Sequence, residues 1–333
     1  MRPYNGLFTP FIVIFLSAST VEARSIMNIF DEIKQRNLNN AAKTALMIRL
    51  KNGTERTYTY AELFDTVSLY QQVLERVRPG DRVAIISESL PEWSIVYLAL
   101  AGVHATSVLL DASLEARDLL ELLEKSDVRC FFASPSVLEK LKDFAPLPPA
   151  FNLLQNPQLL LDESPIKLRT ANLPGCEDAA SIIFSSGTTK KASGILHSHD
   201  ALLCSTQMCI NSTHLKADDR FLAILPNSHI YGLVCQLLGP LLLGAPTCFI
   251  DEMTSTALVG AFQNFHPTIL PAVPKIYELL KTQILQKINS DEKTKKTFAA
   301  VFPICLKLRQ TVGLNLGLAL FQAVHQNFGG KLR

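Results

Sequence analysis

Apolar and polar positions change period in an orderly way along the chain. From residue 27 to 36, Ile29, Phe30 and Ile33 fall at helical spacing and predict a short amphipathic helix. Apolar stretches at 45–50 and 57–60 flank Asn52-Gly53, a dipeptide suited to a tight hairpin turn. Leu63, Val67, Tyr70, Val73, Leu74 and Val77 then mark a helix that starts at Thr59 or Tyr60 and is closed by Pro79-Gly80. Beyond it strands and helices alternate: strands at 82–87, 105–110 and 128–133, helices at 91–101, 114–126 and 136–144. Five prolines make 145–172 a connecting region with at most one strand, at 159–161. The alternation then resumes. It gives strands at 221–225, 246–250 and 268–270, helices at 200–213, 231–243 and 254–265, and long helices at 274–288 and 303–328. Strand–helix–strand units at this spacing require right-handed crossovers. The expected class is therefore α/β, with mostly parallel sheets and helices on both faces, in one continuous body of two similar halves.

Composition supports a folded chain: 48% of the 333 residues are hydrophobic and 19% charged. A net charge of +2 gives no reason to expect nucleic acid as a partner. A basic cluster, Lys281, Lys287, Lys293, Lys295, Lys296, Lys307 and Arg309, reads as a solvated helical face. The seven cysteines include no C-x-x-C pair and several lie in apolar runs, so they read as free thiols of a reducing, cytoplasmic compartment. Residues 1–26 read differently. Arg2, the apolar run 11–16 and Val21-Glu22-Ala23 resemble a signal peptide. Against the reduced character of the rest, this segment is expected to be a non-native extension ahead of Met27, or a loose anchor giving peripheral membrane association, rather than a secretion signal. Oligomeric state is left open.

Candidate chemistry concentrates in residues 181–199. An apolar run at 181–184 feeds Ser185-Ser186-Gly187-Thr188-Thr189, and Ile195-Leu196 follows Gly194. Hydroxyls, backbone N–H groups and the permissive glycines suit the phosphates of a nucleotide; the same composition also makes an ordinary polar hairpin. Residues 226–232 lie between a predicted strand and a predicted helix, where open parallel sheets bind ligands, so His229 and Tyr231 are candidates to line a pocket. The stretch 271–277 reads adequately as a strand exit with proline at a helix start. Walker-type, G-x-G-x-x-G and G-x-S-x-G motifs are all missing from the sequence. His197 and His199 would share one strand face, but Asp200 would point to the other, leaving no third ligand for a metal.

In their order, these motifs resemble the adenylate-forming superfamily of acyl-CoA synthetases, luciferases and peptide-synthetase adenylation domains. The resemblance runs from Ile29 to Arg333. It rests on Tyr58–Leu63, Gly80–Ser87, Pro91-Glu92-Trp93, Ser185–Thr189 with Gly194, and Leu225–Gly232. Asp251–Ser255 and Leu270–Lys275 look like the long-chain fatty acyl-CoA synthetase branch. The resemblance implies a two-step ligase. A fatty acid carboxylate attacks the α-phosphorus of ATP, with magnesium, to give an acyl-adenylate and pyrophosphate; the thiol of coenzyme A then displaces AMP. It also implies that Ser185, Ser186, Gly187, Thr188, Thr189 and Gly194 wrap the phosphates, that Ser185 approaches the magnesium, and that His229, Ile230, Tyr231 and Leu233 border the acyl chain.

Two departures qualify this expectation. Where the family loop continues Gly-x-Pro-Lys-Gly, this chain has Lys190-Lys191-Ala192-Ser193-Gly194, so weakened handling of pyrophosphate is expected. The sequence also stops where the family's next strand begins. Residues 27–333 then read as a partial large domain without the small C-terminal domain and its lysine. Two readings follow: a truncated fatty acyl-CoA synthetase, inactive alone, or a catalytically dead remnant acting as an acyl-binding or interaction protein.

Overall fold

The computed structural model describes residues 27–50, 53–144, 146–162, 168–169, 178–184, 193–289, 292–312 and 329–332. The described residues open with α1 (Ile29–Arg36), capped by the Asn28 side chain, and the antiparallel pair β1 (Thr44–Arg49) and β2 (Glu55–Thr59). Thr59 and Glu62 form a reciprocal capping box that starts α2 (Tyr60–Val73). The alternating region follows as β3 (Arg82–Ile86), α3 (Pro91–Gly102), β4 (Thr106–Leu110), α4 (Ala116–Lys125), β5 (Cys130–Ala133), α5 (Pro135–Leu141), β6 (Ala150–Asn152) and α6 (Pro157–Asp162). Next come β7 (Ala179–Phe184), β8 (Gly194–Ser198), α7 (His199–Thr213), β9 (Phe221–Ala223) and the short turn α8 (Ile230–Gly232). A π-helical turn (Leu233–Leu238) leads into α9 (Gly239–Leu243), then β10 (Thr247–Ile250), α10 (Ser255–Phe265), α11 (Pro274–Asn289) and α12 (Glu292–Val312).

Among the described residues the strands form two sheets, of order β6-β5-β3-β4-β7-β8 and β2-β1-β10-β9. Each is parallel except for one antiparallel edge strand, β8 on β7 and β2 on β1. The expected α/β class with mostly parallel sheets is therefore observed. Helix α3 explains how the two sheets share a core. Its residues from Pro91 to Ala101 are buried all round, as expected for a helix with no polar face. It packs on α1, α2, β1, β3 and β4, and one apolar cluster runs from Leu46, Ile48 and Phe249 through Trp93 and Tyr97 to Val83 and Ile85. The carboxyl ends of β3, β4 and β7 meet the end of β9 across a cleft, where the segments after Ile86 and Ala223 touch.

Four local expectations are corrected. Residues 159–161 are part of α6, not a strand, because Asn156 caps the turn through the Gln158 and Leu159 N–H groups and Pro157 opens it. Ile269 makes a single parallel bridge to Phe221, so 268–270 does not extend into a strand. Helix α12 begins at Glu292 and carries Pro303 inside it; the lysine-rich segment before the proline is good helix material with an acidic first turn. Residues 313–328 of the expected long helix lie outside the described residues. Last, β8 ends at Ser198, whose hydroxyl accepts from the Ala201 N–H, so His199 opens α7 and shares no strand face with His197.

Candidate functional site

The cleft is organised by the turn between β9 and α8. Pro226 accepts the His229 N–H, and the His229 carbonyl accepts the Leu233 N–H at 2.9 Å, so the chain reverses directly into the helix. Gly232 lets this turn close: a Cβ there would lie 2.2 Å from the Pro226 carbonyl oxygen. Gln236, fully buried in the π-helical turn, holds the other side. Its Oε1 accepts the N–H groups of Ile224 (3.1 Å) and Leu225 (2.9 Å), and its Nε2 donates to the Leu225 carbonyl and to Asn227 Oδ1. Ser89, just past β3, crosses from the larger sheet. Its hydroxyl donates to the Leu225 carbonyl at 3.0 Å and accepts the Asn227 N–H at 2.8 Å. Backbone polar groups that leave a strand thus find buried partners on both sheets.

Two cavities flank this turn and share Leu225 and Pro226 in their walls. One, of about 470 Å³, is mostly apolar and is lined by Ile183 and Phe184 of β7, Ile195 and His197 of β8, His229, Ile230 and Tyr231, and Val273. The other, of about 300 Å³, is the more polar of the two, with Ser87, Glu88, Asp111, Ser113, Ser228 and Asp251 set among apolar residues such as Ile224, Ile250 and Met253. A side chain of the polar cavity reaches the apolar one: Asp111 Oδ2 lies 3.3 Å from His229 Nε2. The His229 contact, against the opposing effect of burial, holds the Asp111 carboxyl well below the usual carboxylate range. The same bond raises the His229 imidazole above its ordinary value. Burial raises the Tyr231 phenol, with the Ala272 backbone acting in the opposite sense.

The structure therefore gathers most of the described candidates. His229, Ile230 and Tyr231 line the apolar cavity, each about two-fifths exposed. Leu233 turns inward and is fully buried in the main core, outside the lining of that cavity. Gly194 starts β8 opposite Phe184, and a Cβ there would press on Ile182 and Phe184. Ser185, Ser186, Gly187, Thr188 and Thr189 lie outside the described residues, but the strands that lead into and out of them wall the cavity. Among the described residues no group of three or more His, Cys, Asp or Glu side chains gathers as metal ligands. The magnesium implied by the family resemblance thus has its one named contact, Ser185, outside them. No described helix is long and apolar enough to cross a membrane.

Asp111, Ser89 and Gln236 were not among the candidates read from the sequence. Asp111 follows a predicted strand directly, the position where ligand-facing residues gather. Gln236 is the only polar residue in the run from Leu233 to Leu238, which is a sign of a buried polar task.

Residues 33–333 match the AMP-binding enzyme family. The medium-chain fatty-acid–CoA ligase of Escherichia coli K12 is 26% identical over 71% of this chain and 44% of its own length. 4-Coumarate–CoA ligase 3 of Arabidopsis thaliana is 25% identical over 67% of this chain and 42% of its own. The chain thus spans about half the length of the curated relatives it matches. Among solved structures, the N-terminal domain of FACL13 from Mycobacterium tuberculosis superposes with a TM-score of 0.65 at 19% identity, covering 76% of this chain and 64% of that one. O-succinylbenzoate coenzyme A synthetase of Bacillus subtilis, in complex with AMP, gives 0.61 at 22% identity, covering 75% and 64%. At these identities the likeness is one of fold.

Proposed function

From a chain that belongs to the AMP-binding enzyme family, we propose an acyl-CoA ligase reaction in which an apolar carboxylic acid of the fatty acid class is the substrate. The observation that carries this reading is the apolar cavity of about 470 Å³, whose walls are the two strands joined by the Ser185–Thr189 stretch and the turn carrying His229. An acyl chain lodged against Ile183, Ile195, Ile230 and Val273 would gain by leaving water, at roughly 25 cal/mol per Å² of apolar surface. Its carboxylate would stand at the polar rim, toward the strand-to-strand connection.

Adenylation joins two anions, so the residues at the rim must orient the carboxylate and offset charge. His229, whose protonated form Asp111 favours, can donate a hydrogen bond from its imidazolium to the substrate carboxylate or to the developing phosphate charge. Ser185, Ser186, Gly187, Thr188, Thr189 and Gly194 would hold the ATP phosphates, with magnesium accompanying them at Ser185. Coenzyme A would accept the acyl group in the second step.

The loop's departure at Lys190-Lys191-Ala192-Ser193 favours a second reading, acyl binding without turnover. ATP–pyrophosphate exchange on the purified chain, with saturated fatty acids of graded length, separates the two. Exchange above the acid-free background supports the ligase. Saturable binding of a fluorescent fatty acid without exchange supports the binding protein, and neither signal removes both.

A further inference from the structure

Two thiols stand beside this site that the proposed reaction does not use. Cys209 lies on α7 and Cys235 on the π-helical turn, and their sulfurs are 3.5 Å apart. Both are partly accessible, whereas Cys130, Cys248 and Cys305 are buried and Cys204 is exposed without a thiol neighbour in the described structure. A disulfide brings sulfurs to roughly 2.05 Å, so an approach of about 1.5 Å would close the bond. The local backbone is unusual as well. π-Helical turns are rare and concentrate at functional positions, and this one continues the chain directly from Tyr231 and Gly232 in the cavity wall.

We propose that Cys209 and Cys235 form a redox-active dithiol that closes to an intramolecular disulfide with hydrogen peroxide, pinning α7 to the turn that continues the cavity wall. The Cys209 thiolate attacks the peroxide; the O–O bond breaks, one oxygen leaves as water after taking up a proton, and Cys209 becomes a sulfenic acid. The Cys235 sulfur then attacks Sγ of Cys209. The S–O bond breaks, the S–S bond forms, and the hydroxyl leaves as a second water with the Cys235 proton. Two thiols lose two electrons and the peroxide gains them. Cys209 is the attacking group: the Cys235 thiol 3.5 Å away lowers its thiol below the ordinary value, while Cys235 is raised. The coupling to the cavity rests on the acyl-binding reading above; the dithiol chemistry does not.

The test treats the purified 333-residue chain with hydrogen peroxide, alkylates the remaining thiols and maps the peptides by mass. A Cys209–Cys235 linked peptide, lost on treatment with dithiothreitol and missing in Cys209→Ser and Cys235→Ser, is expected. Cys235→Ser should stall as a dimedone-reactive sulfenic acid at Cys209. Links only between chains, links through Cys204, or an unlinked pair would overturn the proposal. In the same samples, affinity for a fluorescent fatty acid should change about fivefold on oxidation in wild type and not in Cys235→Ser, as expected for linked sites. An unchanged wild-type affinity would overturn the coupling. A chain that links its cysteines but binds no fatty acid would remove the acyl-binding reading and leave the dithiol standing.

Discussion

Asp111 and His229 form an ion pair of 3.3 Å that joins the carboxyl end of β4 to the turn after β9. One residue comes from each sheet, and the pair stands between the polar and the apolar cavity.

Its pH dependence follows from the two directions of shift. Asp111 is lowered in the fold, so its contribution is present above the unfolded carboxylate value of about 3.9 and fades as pH falls below it. His229 is raised, so its contribution is full below about 6.5 and fades as pH rises through its folded value. The pair is therefore strongest between about pH 4 and 6.5. With side chains 43% and 27% exposed, a double-mutant cycle with Asp111→Asn and His229→Gln should give a coupling of no more than about 1 kcal/mol. Asp111→Asn should also return the His229 titration, followed by NMR, toward 6.5. A His229 titration unmoved by Asp111→Asn would show that the pair does not set it.

Gly232→Ala sets two effects against each other. A helical alanine gains up to about 1 kcal/mol over glycine, and Gly232 has ordinary helical backbone angles, so no strain comes from φ. The new Cβ, however, would sit 2.2 Å from the Pro226 carbonyl. Overpacking of that kind costs about 1–3 kcal/mol, and the obstacle is backbone, which cannot rotate away. A net loss of stability in urea unfolding is expected, together with weaker fatty acid binding; a stabilised variant would mean that the turn relaxes freely.

The sheets were readable because their strands are short apolar runs punctuated by Pro and Gly, as at 82–87 and 105–110. Where the run was three residues long the period carried no information: Leu159, Leu160 and Leu161 read as a strand, and Asn156 with Pro157 made them a helix. Strand β6 stayed hidden because it directly follows Pro148 and Pro149. In the site, residues after predicted strands were legible by position. Ser89 and Gln236 were not, since their task is to satisfy backbone groups whose location only the folded turn defines.

Removing Gln236 tests that task. Gln236→Leu roughly keeps the volume but leaves the Ile224 and Leu225 N–H groups, and Asn227 Oδ1, without this partner. At about 1–3 kcal/mol for each buried group left unpaired, a loss of about 3 kcal/mol or more is expected in chemical denaturation. Ser89→Ala, which removes one donor and one acceptor at the edge of the same turn, should lose less. Equal losses would place the support on Ser89 instead.

His199 makes the fold sensitive to acid. Its ring is buried where α7 begins, accepts the Ile29 N–H at Nδ1 and faces His104, 5.7 Å away between ring centres. Burial first, and His104 second, lower its pKa to about 4, with Asp178 acting in the opposite sense. The folded value lies below the unfolded one, so the unfolded chain takes the proton first. Stability from this group is complete above about pH 6.5 and is lost as pH falls toward 4. At 1.36 kcal/mol per unit the loss amounts to about 3 kcal/mol. In His199→Gln the fall in urea midpoint between pH 6.5 and 4.5 should be smaller than in wild type, even though the variant starts lower at neutral pH. Parallel curves for the two proteins would assign the acid sensitivity to other groups.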